Sequence, residues 1–361
     1  MDPVEIELPT YRILIARGAL GDVGRVASAT TRAHRYALIA DANVAPLYAA
    51  RVRSALGEGR TRLYTIPAGE EQKSRQSWTT LTDALLGDGF GRDSAIIALG
   101  GGVVGDLAGF VAATYMRGIP FIQLPTTLLA MIDASIGGKT GVDTPSGKNL
   151  VGAFHDPAAV IADPDVLRTL PPEHLRAGLA EAIKHGVIAD ASHFDEVVGA
   201  APEIVSGSRA AAAALERIVV RSVGIKADVV RRDQREGGVR KTLNFGHTIG
   251  HAIELRSDYR MLHGEAVAVG MVVESRVAER LGVAQPGTSD RVRAAVERTG
   301  LPAARPADQS PGDILSATRG DKKARAGVVE YALPARIGEM AGADRGWGVV
   351  VSDEVVLEAL Q

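Results

Sequence analysis

Four residues in the second half of the chain have the types and spacing of a divalent metal site. His247 and His251 lie four apart in NFGHTIGHAIE, His263 opens HGEAVAVG, and Glu181 lies in LAEAIKHG. Positions four apart share one helix face. A catalytic divalent site uses three protein ligands of these kinds and leaves a position for substrate. The chain has no Cys, which excludes thiolate ligands, disulfides and Cys nucleophiles. It is not the HExxH zincin pattern, because residue 248 is Thr. Spacing does not decide which of the three imidazoles bind, and taken singly each is equally a core or surface histidine. Lys184, one turn past Glu181, either forms a helix salt pair or aims a cation into the same site.

A second group points to phosphate. GGGVVGD, residues 100–106, follows an apolar run and opens a helical one. The pattern G-x-G-x-x-G falls on Gly100, Gly102 and Gly105. Such a turn lets backbone approach a pyrophosphate, and the helix N-terminus supplies free N–H groups. The same turn is also common for packing alone. Asp106 either favours the helix dipole or holds polyol hydroxyls. Residues 125–157 are dense in small polar side chains. There Thr126 and Thr127 cap a helix or bind ribose or phosphate. Lys139 and Lys148 each follow a glycine, a common phosphate-gripping arrangement. The stretch reads as a loop too long to be a mere connection. Arg117, Lys226, Arg240, Asn244 and Lys322 each read alone as surface residues; together they suit an anion with two charged ends.

The elements that must carry these residues differ between the two halves. Residues 36–40, 61–66, 95–99 and 121–124 read as strands, and 43–56, 76–87 and 103–113 as helices. Strand and helix alternating in this way imply a parallel sheet covered on both faces. From residue 171 onward the stretches are long, Ala-rich and helical: 209–231, 243–255, 264–281 and 288–299. The predicted fold is therefore α/β plus α. A Rossmann-like parallel-sheet domain, 1–168, precedes an all-helical domain, 169–361, with the boundary in DPDVLRTLPPEH.

At 361 residues, two domains are the expected number. The 41 Lys plus Arg against 43 Asp plus Glu give a formal net charge of −2. With no polybasic run, nothing predicts nucleic acid or an anionic membrane as partner. The N-terminus lacks the basic start and apolar stretch of a signal peptide, and no window approaches a membrane span. A soluble cytoplasmic protein is the expectation.

PAGEEQKS, GGGVVGDLAGFVAATYMRGIPFIQLPTTLLAMIDASIGGKTGV, SGKNLVGAF, TLPPEHLRAGLAEAIKHG, LNFGHTIGHAIE, HGEAVAVGM and DKK occur in that order. In these motifs, from residue 67 to about 338, the chain resembles the 3-dehydroquinate synthase family. The resemblance implies an NAD-binding α/β domain, a helical domain and a homodimer. It implies conversion of 3-deoxy-D-arabino-heptulosonate 7-phosphate, a sugar phosphate, to 3-dehydroquinate and phosphate in the shikimate pathway. The implied steps are transient oxidation by NAD, phosphate elimination, re-reduction, ring opening and aldol closure at a divalent metal.

Residue roles follow from the same resemblance. Glu181, His247 and His263 would bind the metal, zinc or cobalt, with His251 beside the substrate. Lys139, Asn149, Lys322 and Arg117, the last from its own or the partner subunit, would hold the phosphate. Lys226 and Arg240 would hold the carboxylate. Asp133, Lys148 and Lys184 would position hydroxyls and tune charge, and Asn244 would be among the catalytic residues. NAD would be held by Glu70, Lys73, Asp106, Thr126 and Thr127, by the turn of Gly100, Gly101, Gly102, Val103 and Gly105, and by Lys139 and Lys148 again. The chain departs from the family pattern in Asp133-Ala134-Ser135, where a double Ser is usual, and at His155 and His185. Three rival readings remain: a cyclase of the deoxy-inosose or epi-valiolone type, a metal-dependent polyol dehydrogenase, and a non-catalytic sugar-phosphate binder. The pair Lys226 and Arg240 speaks against the first, because those cyclases act on substrates without a carboxylate.

Overall fold

The computed structural model describes residues 2–145, 147–257, 260–319 and 329–361. The chain divides into two compact units, Met1–Leu170 and Pro171–Gln361.

The first unit is built on β1 (Val4–Glu7), β2 (Arg12–Ile15), α1 (Val23–Thr30), β3 (Arg35–Asp41), α2 (Ala50–Leu56), β4 (Thr61–Ile66) and α3 (Arg75–Gly87). It continues with β5 (Ser94–Gly100), α4 (Gly102–Thr114), β6 (Phe121–Pro125), β7 (Lys139–Thr144), β8 (Gly147–Phe154) and β9 (Ala159–Ala162). Seven strands form one sheet in the order β1-β2-β9-β6-β5-β3-β4. Only β1 runs antiparallel to its neighbour. Every residue of β5, SAIIALG, is buried, as expected of a parallel strand covered on both faces. Leu81 and Leu85 of α3, Leu107 and Val111 of α4, and Val142 of β7 close one core cluster with Ile96 and Phe121.

Two parts of this unit differ from the sequence expectation. Strands β1, β2 and β9 are four residues each and were not predicted, since so short a run carries little periodicity. The stretch 125–157, expected as a loop, contains the antiparallel pair β7 and β8. Small residues hide its alternation: Gly141 pairs with Gly152, and a Cβ added at Gly152 would stand 2.2 Å from the Thr140 carbonyl oxygen.

The second unit carries α5 (Pro172–Ala189), α6 (Ala191–Val205), α7 (Ala212–Arg232), α8 (His247–Arg256), α9 (His263–Arg280), α10 (Thr288–Arg298) and α11 (Pro311–Thr318). After these come β10 (Glu330–Tyr331), β11 (Pro334–Arg336), β12 (Glu339–Met340), β13 (Val349–Val350) and α12 (Asp353–Ala359). The expectation of an all-helical unit is thus corrected to a largely helical one: β10 pairs with β13, and β11 with β12. A second correction concerns the helix expected over 243–255. Gly246 takes φ of 79°, which divides a 3-10 turn, Val239–Asn244, from α8. His247 therefore stands at the first position of a helix rather than within one. Among the described residues, no helix is long and apolar enough to cross a membrane.

Glycines bring α5, α8 and α9 into contact. A Cβ at Gly264 would lie 2.2 Å from the Ala177 carbonyl oxygen of α5, and one at Gly270 would lie 1.9 Å from that of Gly246. Any larger residue would push α9 away from the other two helices.

Candidate functional site

Those three helices converge on Glu181. This carboxylate is fully buried on α5. Nε2 of His247, on α8, stands 3.4 Å from Glu181 Oε1, and Nε2 of His263, at the start of α9, stands 3.4 Å from the same oxygen. All three ligand atoms lie within 4.8 Å of one another. The separation is longer than a good hydrogen bond. Ligands held about 2.1 Å from a tetrahedral ion stand about 3.4 Å apart. The donor set, two imidazole nitrogens and one carboxylate oxygen, is one that suits zinc and related divalent cations. These residues fit a metal.

The electrostatics agree. Burial lowers His263, but Glu254 and Glu181 outweigh it and raise its pKa to about 10. Without a metal, the cluster therefore holds a positive charge where a cation would sit. Burial, then Lys184, push His247 well below the ordinary histidine range. Lys184 is itself buried and ion-paired with Glu181. His251 lies one turn on from His247, with ring centroids 5.3 Å apart, and its ring is 5.8 Å from that of His263. The α8 backbone is held by a second buried acid: Glu274 of α9 accepts from the N–H of Gly246 at 2.6 Å and of Ile249 at 3.1 Å.

The same unit holds the residues assigned to an anion. Arg240 is 2% exposed, so it is not on a solvated helix face. Its backbone N–H donates to Asp233 at 3.0 Å, and its guanidinium donates to the Gln234 carbonyl. Asp233 also accepts from Gly237 and Gly238, which fixes the turn that carries Arg240. Lys226, on α7, is buried. Asn244 donates its side-chain N–H to Glu236 at 2.6 Å. Lys322 lies outside the described residues.

In the first unit the glycine turn follows β5, where neighbouring connections leave the sheet in opposite directions, the usual ligand position in an open α/β sheet. A Cβ at Gly100 would lie 2.5 Å from Val104, and one at Gly105 2.6 Å from Gln123. These two glycines serve the packing of helix on sheet. Gly101 is the N-cap of α4 and has no side chain to cap the first N–H groups, including those of Gly102 and Val103. The Thr126 N–H donates to the Gly100 carbonyl, and the Thr127 hydroxyl accepts from the Ala130 N–H.

Beside this turn is a charged cluster. Lys73 Nζ stands 3.0 Å from Asp106, 3.6 Å from Glu70 and 3.8 Å from Asp143. Lys148 Nζ is 3.0 Å from Glu70. Burial opposes the charge of Lys73, but Asp106, Glu70 and Asp143 outweigh it and hold its pKa above the ordinary lysine range. Lys139 is exposed at the start of β7, and Asn149, at φ of 55°, donates its N–H to Asp143. Arg117 is exposed in a turn where it and Met116 both take positive φ, 69° and 51°. Asp133 lies in the turn Ala130–Ala134. Asp143, Glu254 and Glu274 join these sites although no motif of the sequence marks them. Glu254 ends the quoted motif NFGHTIGHAIE, where its spacing does not set it apart from a helix-surface acid.

A family model described as 3-dehydroquinate synthase N-terminal matches residues 63–177, and one described as 3-dehydroquinate synthase C-terminal matches 178–324. The chain is 46% identical to a 3-dehydroquinate synthase of Symbiobacterium thermophilum over 366 residues, covering 99% of this chain and 98% of that protein. Among solved structures, a 2-deoxy-scyllo-inosose synthase with carbaglucose-6-phosphate, NAD+ and Co2+ has a TM-score of 0.87 at 27% identity, covering 99% of both chains. A 2-epi-5-epi-valiolone synthase of Streptomyces hygroscopicus with NAD+ and Zn2+ has a TM-score of 0.86 at 30% identity, covering 98% of this chain and 97% of that one.

Proposed function

The chain belongs to the 3-dehydroquinate synthase family, and on that premise we propose how it converts 3-deoxy-D-arabino-heptulosonate 7-phosphate to 3-dehydroquinate and phosphate: as a carbon–oxygen lyase with bound NAD and a divalent cation. The observation that carries this reading is the convergence of Glu181, His247 and His263, with both imidazoles 3.4 Å from one carboxylate oxygen. When bound, NAD takes up and returns a hydride, and a zinc or cobalt ion polarises substrate oxygens.

The chain's own residues bind and orient. The α4 N-terminus at Gly101, Gly102 and Val103 offers N–H groups and a positive dipole end to the cofactor pyrophosphate. Glu70 and Asp106, held by Lys73, offer carboxylate oxygens to ribose hydroxyls, with Thr126 and Thr127 alongside. Lys139, Asn149, Lys322 and Arg117 hold the substrate phosphate, Arg117 coming from its own chain or from the partner subunit of a homodimer. Asp133, Lys148, Lys184 and Asn244 orient hydroxyls. His251 holds or passes a proton at a ring nitrogen, one helical turn from His247. The same reading places the enzyme in the cytoplasm.

Arg240 and Lys226 take the carboxylate. A guanidinium offers a planar fork matched to its two oxygens, and the ammonium adds a compact second charge. A carboxylate taken out of water without such partners costs several kcal/mol. Arg240→Ala is expected to cut kcat/KM for the heptulosonate phosphate by roughly tenfold or more, about 1.4 kcal/mol of transition-state binding. The wild type is expected to leave glucose 6-phosphate, which has no carboxylate, uncyclised. Good turnover of glucose 6-phosphate, or an unimpaired Arg240→Ala enzyme, would replace this reading with that of a cyclitol-forming cyclase.

A further inference from the structure

Glu254 is a carboxylate of α8, seven residues after His247 and 2% exposed. Its Oε2 stands 3.2 Å from Nδ1 of His263. The other nitrogen of that ring, Nε2, stands 3.4 Å from Oε1 of Glu181. One imidazole thus has a carboxylate at each nitrogen. A metal ion would displace the extra proton of this ring, and the neutral imidazole that ligates has one N–H and one lone pair. With Nδ1–H donated to Glu254, the lone pair is left at Nε2, aimed at the point shared with Glu181 and His247. His247 is handled in the same way by a neutral acceptor. Its Nδ1 is 3.1 Å from the Phe245 carbonyl oxygen, and its Nε2 faces Glu181. Both rings then present the same nitrogen to the same place.

His251, Glu254 and His263 also offer ligand atoms within 4.8 Å of one another. That set shares His263 with the first. A second cation bound there would need the Nδ1 lone pair, which the hydrogen bond to Glu254 removes.

We propose that Glu254 is a positioning residue that acts through His263: it fixes the tautomer and rotation of this ring and so sets the metal affinity of the Glu181, His247, His263 site. This rests on the reading of those three residues as the metal ligands. A carboxylate behind a ligating imidazole orients the ring and raises its basicity, and losing one typically weakens metal binding by about 10- to 100-fold. Glu254→Gln keeps an acceptor oxygen for Nδ1–H and removes the charge.

The test uses metal alone, without substrate. Zinc affinity of wild type, Glu254→Gln and Glu254→Asp is measured by competition with a chromogenic chelator, and the visible spectrum of each cobalt-loaded protein is recorded. The expected result is one metal per chain in all three, zinc held about 10- to 100-fold more weakly by Glu254→Gln, an intermediate loss in Glu254→Asp, and a displaced cobalt spectrum in both. The circular dichroism of the metal-free proteins is expected to be unchanged. If Glu254→Gln does not fold, Glu254→Asp carries the comparison. Wild-type affinity and an unshifted cobalt spectrum in the folded variants would overturn the proposal. So would a second zinc in wild type that is lost with Glu254. A wild type that takes up no zinc would instead overturn the reading of the metal site itself.

Discussion

Removing the divalent cation is expected to abolish turnover while leaving the fold intact. Glu181, His247 and His263 come from three helices, and the two imidazole nitrogens stand 3.4 Å from one oxygen. What the cation would contribute is charge stabilisation at substrate oxygens, which no side chain of the cluster replaces. Dialysis against a strong chelator should lower kcat by about a thousandfold or more, roughly 4 kcal/mol. Zinc or cobalt should restore it. The fold survives because Lys184 pairs with Glu181, so the buried carboxylate is not left alone. His263→Ala, which leaves the Lys184–Glu181 pair intact, should resist restoration while the circular dichroism of the protein stays that of wild type. Full activity in a verified metal-free sample would contradict this.

The second large effect is on stability. Lys73, with its side chain 6% exposed, faces Glu70, Asp106 and Asp143 within 3.8 Å. Removing one partner of a fully buried ion pair typically costs about 3–5 kcal/mol; here the three acids are 20–33% exposed, so water offsets part of that cost. Lys73→Met should therefore lose about 2 kcal/mol near neutral pH. Lys148 beside Glu70 leaves part of that acid's compensation in place. The pH dependence has a definite sign. The pKa of Lys73 is raised in the folded protein, so its contribution is complete below about pH 10, the range of a free lysine, and is lost as pH rises through the raised value. Asp143 is pushed up by burial, against the pull of Lys73. In the variant, acidification should relieve the uncompensated carboxylates, and the deficit should shrink towards pH 4. Denaturation of wild type and variant at both pH values measures this. Adding Asp106→Asn should recover part of the loss. A variant as stable as wild type at neutral pH would show that the cluster is not held by Lys73.

These predictions draw on features of unequal visibility in the sequence. The strand before the glycine turn is legible because AIIAL, residues 95–99, is apolar throughout and is followed by three glycines. The metal cluster was legible because His247 and His251 are four apart and His263 follows closely in a chain with only eight histidines. Its supporting acids were not. Glu254 and Glu274 look like ordinary helix-surface carboxylates until α8 and α9 are packed together. The pairing of Lys73 with Asp106 spans 33 positions and follows from no local periodicity. The break at Gly246 was hidden because the apolar pattern runs on through LNFGHTIGHAIE, and only its φ of 79° shows where the helix begins. The β7–β8 pair was missed because glycines occupy positions where strand alternation is normally read. For the supporting acids and for Lys73 the missing information is a contact between distant segments, which neither propensity nor spacing encodes.

The most direct test of the central claim follows phosphate, dehydroquinate and NADH together. The protein is supplied with the heptulosonate phosphate, zinc and NAD, the NAD well below the substrate concentration. A hydride that is taken up and returned within one site leaves no net redox change. The predicted result is equal release of phosphate and dehydroquinate, many turnovers per NAD, and no accumulating NADH. NADH rising in step with product, or phosphate released without the carbocycle, would contradict it.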